Sequence, residues 1–295
     1  MNRRQFINRS AALLAVSSIG GQSMLAETMA KMNKGRIGIQ LYSVKDELPV
    51  DFEGTLKKLS AMGYSSVEPY GFDGDKFFGY TMKEVSSIVK GMGMTLSGSH
   101  INSGIVLSED INAKEWDFWR KCADSLKSGG GKWAIQASVP IAKTMDDLKR
   151  TVAYFNHAGE VCRRGGMKFA FHNHYEEFEK IEGEVILDYI IKNTDPQLVS
   201  FQLDLAHTLN GGGDCVHYLR DYPGRIRLWH ASDFNLERKE YTELGKGSVP
   251  YSALFEIAKS SGLECLVIEQ ETQGDIFTSC KADIDYLKQF KWTKA

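Results

Sequence analysis

Short apolar runs rich in β-forming residues recur from about Lys34 onward, at intervals of roughly thirty residues. Between them lie amphipathic stretches with helical spacing, as in residues 52–62, where Leu56, Leu59 and Met62 share one face. This alternation predicts repeated βα units around a parallel sheet. We count eight runs, at Arg36–Tyr42, Ser66–Tyr70, Thr95–His100, Lys132–Ser138, Met167–His172, Leu198–Leu205, Ile226–His230 and Glu264–Glu269.

Eight parallel strands with crossover helices close into a barrel more readily than they form an open sheet of that width. The predicted fold is therefore α/β, a (β/α)8 TIM barrel that takes up residues 31–295 as one domain. A doubly wound sheet is the alternative. Against it, no Gly-x-Gly-x-x-Gly follows the first run, and Gly211, Gly212 and Gly213 lack the Lys-Ser/Thr of a phosphate-binding loop.

The first thirty residues differ from the rest of the chain. Arg3 and Arg4 are followed by Phe6 and by an apolar stretch, residues 11–20, which predicts a twin-arginine-type export signal over residues 1–30 and a periplasmic location. The alternative is an N-terminal amphipathic helix of a cytoplasmic protein. No later run is long and apolar enough to span a membrane, so we expect no membrane insertion once the signal is removed.

The charge of the chain limits the kinds of partner it can bind, and its cysteines limit the kinds of cross-link it can form. With 36 basic and 38 acidic residues the formal net charge is −2, which gives no general attraction to nucleic acid or anionic lipid. We therefore do not expect nucleic acid as a partner. The five cysteines are scattered and show no Cys-x-x-Cys spacing, so we expect buried free thiols and not a disulfide framework or zinc knuckle.

A polar or ionisable residue closes every predicted strand, and the carboxyl ends of barrel strands are where TIM-barrel enzymes place their working residues. Any one of them alone has an ordinary explanation, as a helix N-cap or a hydrogen-bonded histidine. Together, Asp204, His230 and Glu269 would converge on one barrel mouth, and mixed carboxylate and imidazole ligands suit manganese, cobalt, zinc or iron. The eight strand-end residues are Gln40, Glu68, His100, Gln136, His172, Asp204, His230 and Glu269.

Several short strings lie at or near these strand ends, namely Gly38–Ser43, Gly63–Tyr64, Val67–Glu68, Phe171–His174, Glu177–Phe178, Gln202–Asp204, Trp229–His230 with Asp233, Gly245–Gly247 and Val267–Glu269. They resemble the sugar phosphate isomerase/epimerase family of xylose isomerase-like TIM barrels, and the resemblance runs from about Arg36 to Lys288. It implies a divalent ion held by residues on strands five to eight, of which the last three are Asp204, His230 and Glu269.

The fifth strand departs from the family pattern, because the family's Glu-Asn-His is His172-Asn173-His174 in this chain. In the family, glutamates on strands five and eight bind the ion and exchange protons with the sugar. Here either His172 is the fourth ligand and itself a base, or Glu177 supplies the missing carboxylate. The resemblance implies Glu177 or Glu269 as the catalytic base. A second departure is Ser232, where many relatives carry Lys.

The same resemblance implies sugar-binding side chains around the ion. We expect Glu68, His100 and His207 to bind hydroxyls and His174 to face the barrel mouth beside His172, because alternate strand residues share a face. Lys246, in the Gly245–Gly247 string, would reach an anionic or hydroxyl group or else be a solvated surface lysine.

The chemistry implied is removal of the proton next to a sugar carbonyl, with the ion stabilising the enediolate. Return of the proton to the enediolate gives isomerisation or epimerisation of the sugar, whereas loss of a β-substituent from the enediolate gives elimination. We expect an isomerase or epimerase of a neutral sugar, keto-sugar or glycoside, because export and the lack of a phosphate cradle disfavour sugar phosphates. Alternatives are a lyase on 3-keto-glycosides, a non-catalytic sugar-binding barrel and an endonuclease-IV-like hydrolase. The resemblance also implies a homo-oligomer, because members of this family commonly form dimers or tetramers.

Overall fold

Parallel β-strands form the centre of the protein in a computed structural model that describes residues 37–101, 103, 113–272 and 274–290. The predicted export segment, residues 1–30, lies outside the described residues. All eight predicted strands are present, and most are shorter than their apolar runs. They are β1 (Ile37–Gln40), β2 (Ser66–Glu68), β3 in two pieces (Thr95–Leu96 and Gly98–Ile101), β4 (Trp133–Gln136), β5 (Lys168–His172), β6 (Val199–Asp204), β7 (Ile226–Ala231) and β8 (Cys265–Ile268).

The two pieces of β3 close the sheet into a barrel. The first piece pairs in parallel with β2, and the second pairs in parallel with β4. The sheet continues from β4 through β5, β6, β7 and β8 to β1 and back to β2. The amides of Ser97 and His100 also donate to the carbonyls of Val67 (3.1 Å) and Pro69 (2.8 Å). The predicted TIM barrel is confirmed, and the doubly wound alternative is excluded.

Helices follow the strands and cover the outside of the barrel. Their ends follow known capping patterns: the helix Met145–Gly165 begins at a capping box of Thr144 and Asp147 and ends at Gly166, whose φ of 77° is left-handed. In the described chain the helices are α1 (Phe52–Met62), α2 (Met82–Gly91), α3 (Ala113–Ser128), α4 (Met145–Gly165), α5 (Ile186–Asn193), α6 (Leu205–Asn210), α7 (Cys215–Asp221), α8 (Tyr251–Ser261) and α9 (Ile276–Leu287).

The core has two parts because strand side chains alternate between the helices and the barrel axis. A large cluster lies between sheet and helices, and a small one of six residues fills the barrel: Trp133, Ile135, Ala170, Leu228, Cys265 and Val267. All five cysteines are buried and free, as expected. None of the described helices is long and apolar enough to cross a membrane.

Short helical turns and a hairpin lie in the connections that follow the strands, at the carboxyl end of the barrel. A 3-10 turn, Leu41–Val44, follows β1, and a second, Glu176–Phe178, follows β5. An antiparallel hairpin, Asp233–Asn235 with Glu240–Thr242, follows β7. Of these elements, the turn after β1 contributes a residue, Tyr42, to the cavity at the mouth of the barrel.

Candidate active site at the barrel mouth

A cavity of about 330 Å³ opens at the carboxyl end of the barrel, a size at the lower end of small-molecule sites. Five residues predicted for the site, His100, His172, His174, His207 and Glu269, line it. The described lining includes no Lys or Arg. The remaining lining residues are Tyr42, Tyr70, Gly71, Ala137, Ser138 and Glu271.

Four buried side chains from consecutive strands meet at this end of the barrel: His172, Asp204, His230 and Glu269. One ligand atom from each lies within 4.8 Å of the others. They come together because parallel pairing sets neighbouring strand ends side by side, with His230 in register with Asp204. A divalent ion with bonds near 2.1 Å holds its ligand atoms about 3–4 Å apart, so a small contraction would complete a site.

Two buried atoms of this cluster lack hydrogen-bond partners within the described chain, namely Oδ2 of Asp204 and Nδ1 of His172. The other carboxylate oxygen of Asp204 is held, because it accepts from the amide of His207 (2.7 Å) and the hydroxyl of Ser232 (2.8 Å). Leaving buried polar atoms unpaired costs free energy, and a cation would relieve it. The donor set and its free atoms therefore fit a divalent metal ion.

Glu68 lies beneath the cavity and orients His230. It is completely buried, and its Oε1 contacts Nε2 of His230 at 2.7 Å. Gln40 and Gln202 donate to the same carboxylate at 3.0 and 3.2 Å. Metal-binding histidines commonly donate their second ring N–H to a carboxylate. The structure therefore places Glu68 as a positioning group, a role that sequence reasoning missed, and not on the cavity lining.

The pKa values of His230 and Glu269 are shifted in opposite directions, and each residue helps to cause the shift of the other. Burial alone lowers the pKa of His230, but the carboxylates of Glu269 and Glu68 outweigh it and raise that pKa. Burial alone raises the pKa of Glu269, but His230 outweighs it and lowers that pKa. Nδ1 of His230 lies 2.7 Å from Oε2 of Glu269. A metal ion at the cluster would replace the proton that this pair shares.

Burial favours the neutral imidazole at three other histidines of the mouth, His100, His172 and His174. Burial, reinforced by neighbouring histidines, lowers the pKa of His172 well below its ordinary range. Burial likewise lowers the pKa of His174 to about 4 and lowers that of His100. Neutral imidazoles can accept a proton, ligate a metal ion or hydrogen-bond a hydroxyl. Both His172 and His174 line the cavity, as strand alternation predicts.

Glu271 is a cavity residue that sequence reasoning did not find. Burial, followed by the nearby charge of Glu269, raises the pKa of Glu271 to about 8. Its Oε1 lies 3.6 Å from Nε2 of His207, and Nδ1 of that histidine bonds the hydroxyl of Tyr241 at 2.7 Å. The available signal was its position two residues beyond Glu269, since alternate residues of an extended chain share a face.

Glu177 is buried in the 3-10 turn after β5 and is not part of the described cavity lining. Its carboxylate accepts the amide N–H of His174 at 2.7 Å. Burial raises the pKa of Glu177 to about 7. In this position Glu177 shapes the loop that carries His174, and it would have to break that hydrogen bond to enter the cavity.

Lys246 stands outside the cavity. Its side chain is 63% exposed, and its Nζ lies 3.4 Å from a carboxylate oxygen of Glu243. The loop that carries it is fixed by Asp233, whose carboxylate accepts four backbone N–H groups. These come from Phe234, Gly245, Gly247 and Val249 at 2.9, 2.8, 3.2 and 3.0 Å.

Barrel and cluster together are typical of TIM-barrel enzymes that work at the carboxyl ends of their strands. A family model described as a xylose isomerase-like TIM barrel matches residues 56–294. The chain belongs to this family, and the predicted family resemblance is confirmed.

Relatives within this family carry names from more than one reaction class. A crystal structure of a sugar phosphate isomerase/epimerase from Parabacteroides distasonis ATCC 8503 superposes with a TM-score of 0.79 at 28% identity, covering 86% of this chain and 98% of that one. Inosose dehydratase of Geobacillus kaustophilus (strain HTA426) is 26% identical over 225 residues, which is 68% of this chain and 70% of that enzyme. An L-ribulose 3-epimerase, at 17% identity and a TM-score of 0.68, supports the fold alone.

Proposed function

We propose that this protein is a divalent-metal-dependent isomerase or epimerase that removes the proton next to the carbonyl of a neutral keto-sugar or glycoside. The observation that carries the proposal is the buried cluster of His172, Asp204, His230 and Glu269, two of which line the cavity. These four residues would hold the ion. Mixed imidazole and carboxylate donors suit manganese, cobalt or zinc. When bound, the ion supplies positive charge that makes the proton next to a carbonyl more acidic.

Three groups of the cavity lining are candidates for the base that takes that proton. Glu269 and Glu271 are carboxylates on the lining, and His172 is a neutral imidazole there. A general base works best when its pKa lies near the working pH, and the raised pKa of Glu271, about 8, meets that condition. Glu177 is less well placed, because its carboxylate holds the amide of His174.

The cavity favours an uncharged substrate. A phosphate group is usually held by Arg, Lys or a helix N-terminus, and the described lining offers neither basic side chain. His100, His174 and His207 instead present imidazoles suited to sugar hydroxyls. A neutral substrate also agrees with the export proposed from residues 1–30, since sugar phosphates are scarce outside the cytoplasm.

A second candidate function is a lyase that eliminates across the same keto-sugar. Both carboxylates of the lining, Glu269 and Glu271, follow β8, whereas His172 ends β5 and His174 lies two residues beyond it. Inversion at carbon uses an acid and a base on opposite faces, whereas elimination uses one base and a proton for the leaving oxygen. In a 3-keto-glycoside, the base takes the C2 proton, a C1–C2 double bond forms, and the C1–O bond breaks to release the aglycone alcohol. The likeness to inosose dehydratase supports this candidate.

One experiment separates the two candidates. The protein is loaded in turn with manganese, cobalt and zinc, its metal content is measured by mass spectrometry, and 3-keto-glucosides are followed by NMR in deuterated water. Deuterium in an isomer or epimer supports the first function, and released alcohol with an unsaturated ketone supports the second. Neither exchange nor release with any of the metals would reject both.

A further inference from the structure

A row of aromatic rings leads outward from the cavity. We call it the aromatic rim and define it as Tyr42, Tyr70, Phe77 and Phe78. Tyr42 and Tyr70 line the cavity and their ring centroids are 5.2 Å apart. Tyr70 in turn lies 5.6 Å from Phe77 and 6.4 Å from Phe78, and these two phenylalanines are 4.9 Å apart. The cavity wall and the rim are therefore one continuous surface.

Phe78 occupies a backbone position that disfavours it. Phe77 and Tyr80 exchange both backbone hydrogen bonds (2.8 and 3.1 Å), which leaves Phe78 and Gly79 as a two-residue turn. Their φ values are +50° and +84°, the pattern of a type I′ turn, in which Asn or Gly is favoured at the first position. A phenylalanine there is strained, and strain of this kind concentrates at functional sites.

Packing accounts for only part of this choice of residue. The ring centroid of Phe78 lies 5.7 Å from that of Phe52, but Phe78 is still 38% exposed, whereas Phe77, the buried member of the rim, is 4% exposed. Tyr42 is also 41% exposed. The rim thus holds two partly solvated aromatic rings directly beside the candidate active site, where a ligand would cover them.

The outer end of the rim selects an apolar, flat group. A second sugar unit there would need hydrogen-bond partners for its hydroxyls, and Phe78, the exposed residue at that end, has none to offer, because the hydroxyls of the rim belong to Tyr42 and Tyr70 on the cavity lining. An aromatic ring instead gains from edge and face contacts with such side chains. We propose that the aromatic rim is a subsite for the aromatic aglycone of a glycoside whose sugar occupies the cavity. The inference rests on the proposed function only in placing a sugar in the cavity.

The test is a binding experiment that needs no turnover. Calorimetry on the metal-loaded protein compares phenyl glucoside, methyl glucoside and the disaccharide cellobiose. We expect phenyl glucoside to bind about tenfold more tightly than methyl glucoside. The Phe78→Asn variant should lose most of that preference and keep its affinity for methyl glucoside. Because Asn suits a type I′ turn, this variant should fold with an unchanged or higher Tm. Val50→Asn, at an 81% exposed apolar residue outside the rim, is the matched control and should behave like wild type.

Four results would overturn the subsite. They are equal affinity for phenyl and methyl glucoside, a preference that survives Phe78→Asn, cellobiose binding as tightly as phenyl glucoside, and no binding of any of the three. A change of oligomeric state in Phe78→Asn, seen by sedimentation, would instead make the rim an interface between copies of the chain. If the preference is found but 3-keto-glucosides neither exchange nor eliminate, the rim stands and the proposed reaction falls.

Discussion

The two ends of the barrel hold charged residues in opposite ways. At the amino ends of the strands, Lys168 pairs with Glu264 at 2.7 Å, Arg227 bonds the same carboxylate, and both cations lie over Trp133. At the carboxyl ends, carboxylates and imidazoles form a buried cluster in which one atom of His172 and one of Asp204 have no hydrogen-bond partner among the described residues. The charges of Lys168, Arg227 and Glu264 are paired with one another, whereas the cluster at the other end keeps two buried atoms with no partner among the described residues.

The difference separates stability from function within one fold. Paired charges at the amino ends are partly exposed and satisfied, so they need nothing further from solution. The cluster at the carboxyl ends is buried, and two of its possible ligand atoms have no hydrogen-bond partner among the described residues. A site of that kind lowers the free energy of the folded protein only when a ligand completes it.

The largest expected effect lies at the cluster. Asp204→Asn should lower divalent-ion affinity and turnover by at least about a hundredfold, because it removes the charge of a ligand held in place by Ser232 and His207. Metal content by mass spectrometry and kcat/KM check this. Asp214→Asn is the control, since Asp214 caps α7 and Asn caps equally well. Full metal occupancy in Asp204→Asn would remove the main support for the proposed function.

Glu68→Gln should have the next largest effect. Gln keeps the shape but not the charge that holds Nε2 of His230, and groups that orient a metal-binding histidine are worth about 10–100-fold in affinity. Competition with a chelator measures this. Glu115→Gln is the matched control, because that carboxylate is also hydrogen-bonded, to Tyr154 at 2.9 Å, but lies on α3 away from the cluster. Equal metal affinity in the two variants would contradict a positioning role for Glu68.

Glu177→Gln should affect stability more than turnover. Folding raises the pKa of Glu177 from 4.5 to about 7, so the folded state binds more protons between those values. The contribution of the protonated Glu177 side chain to folding stability is complete below pH 4.5 and is lost as the pH rises through 7. At pH 8 the free energy of unfolding of the variant should therefore exceed that of the wild type by up to about 3 kcal/mol, seen as a higher Tm. At pH 5 the two proteins should differ little in stability. Loss of turnover by more than about a hundredfold would instead identify Glu177 as the base.

The smallest effect belongs to the opposite end of the barrel. Glu264→Gln leaves Lys168 and Arg227 beside each other without their shared carboxylate and should cost about 1 kcal/mol, or about 2–4 °C in Tm. Metal content should not change. Glu240→Gln, which breaks an exposed pair with Arg238, should shift Tm less. A loss of metal in Glu264→Gln would show that the two ends are not independent.

The sequence predicted the fold and much of the site for one physical reason: strand ends of a barrel converge. Apolar runs located all eight strands, and their closing residues Asp204, His230 and Glu269 meet as expected. The runs overstated most strand lengths, because apolar side chains continue past the last ladder hydrogen bond. The break in β3 at Ser97 had no signal, since it arises from pairing with two different neighbours.

The functions of individual carboxylates were harder to predict. Glu68 and His230 are 162 residues apart, and only their register across the barrel axis brings them to 2.7 Å. Glu271 lies past the end of β8, where strand alternation is no longer enforced by pairing. Glu177 faces a backbone amide and not the cavity because a 3-10 turn, which the sequence pattern did not reveal, reverses the chain after β5.

The clamp formed by Asp233 has a consequence for how this protein can change. One buried carboxylate accepts three backbone amides of the loop that bears Lys246, those of Gly245, Gly247 and Val249, so the path of the loop does not depend on the exposed side chain of Lys246. Such a loop can accumulate substitutions at its tip while its frame stays in place. Changes of side chain at Lys246 are thereby uncoupled from the integrity of the barrel.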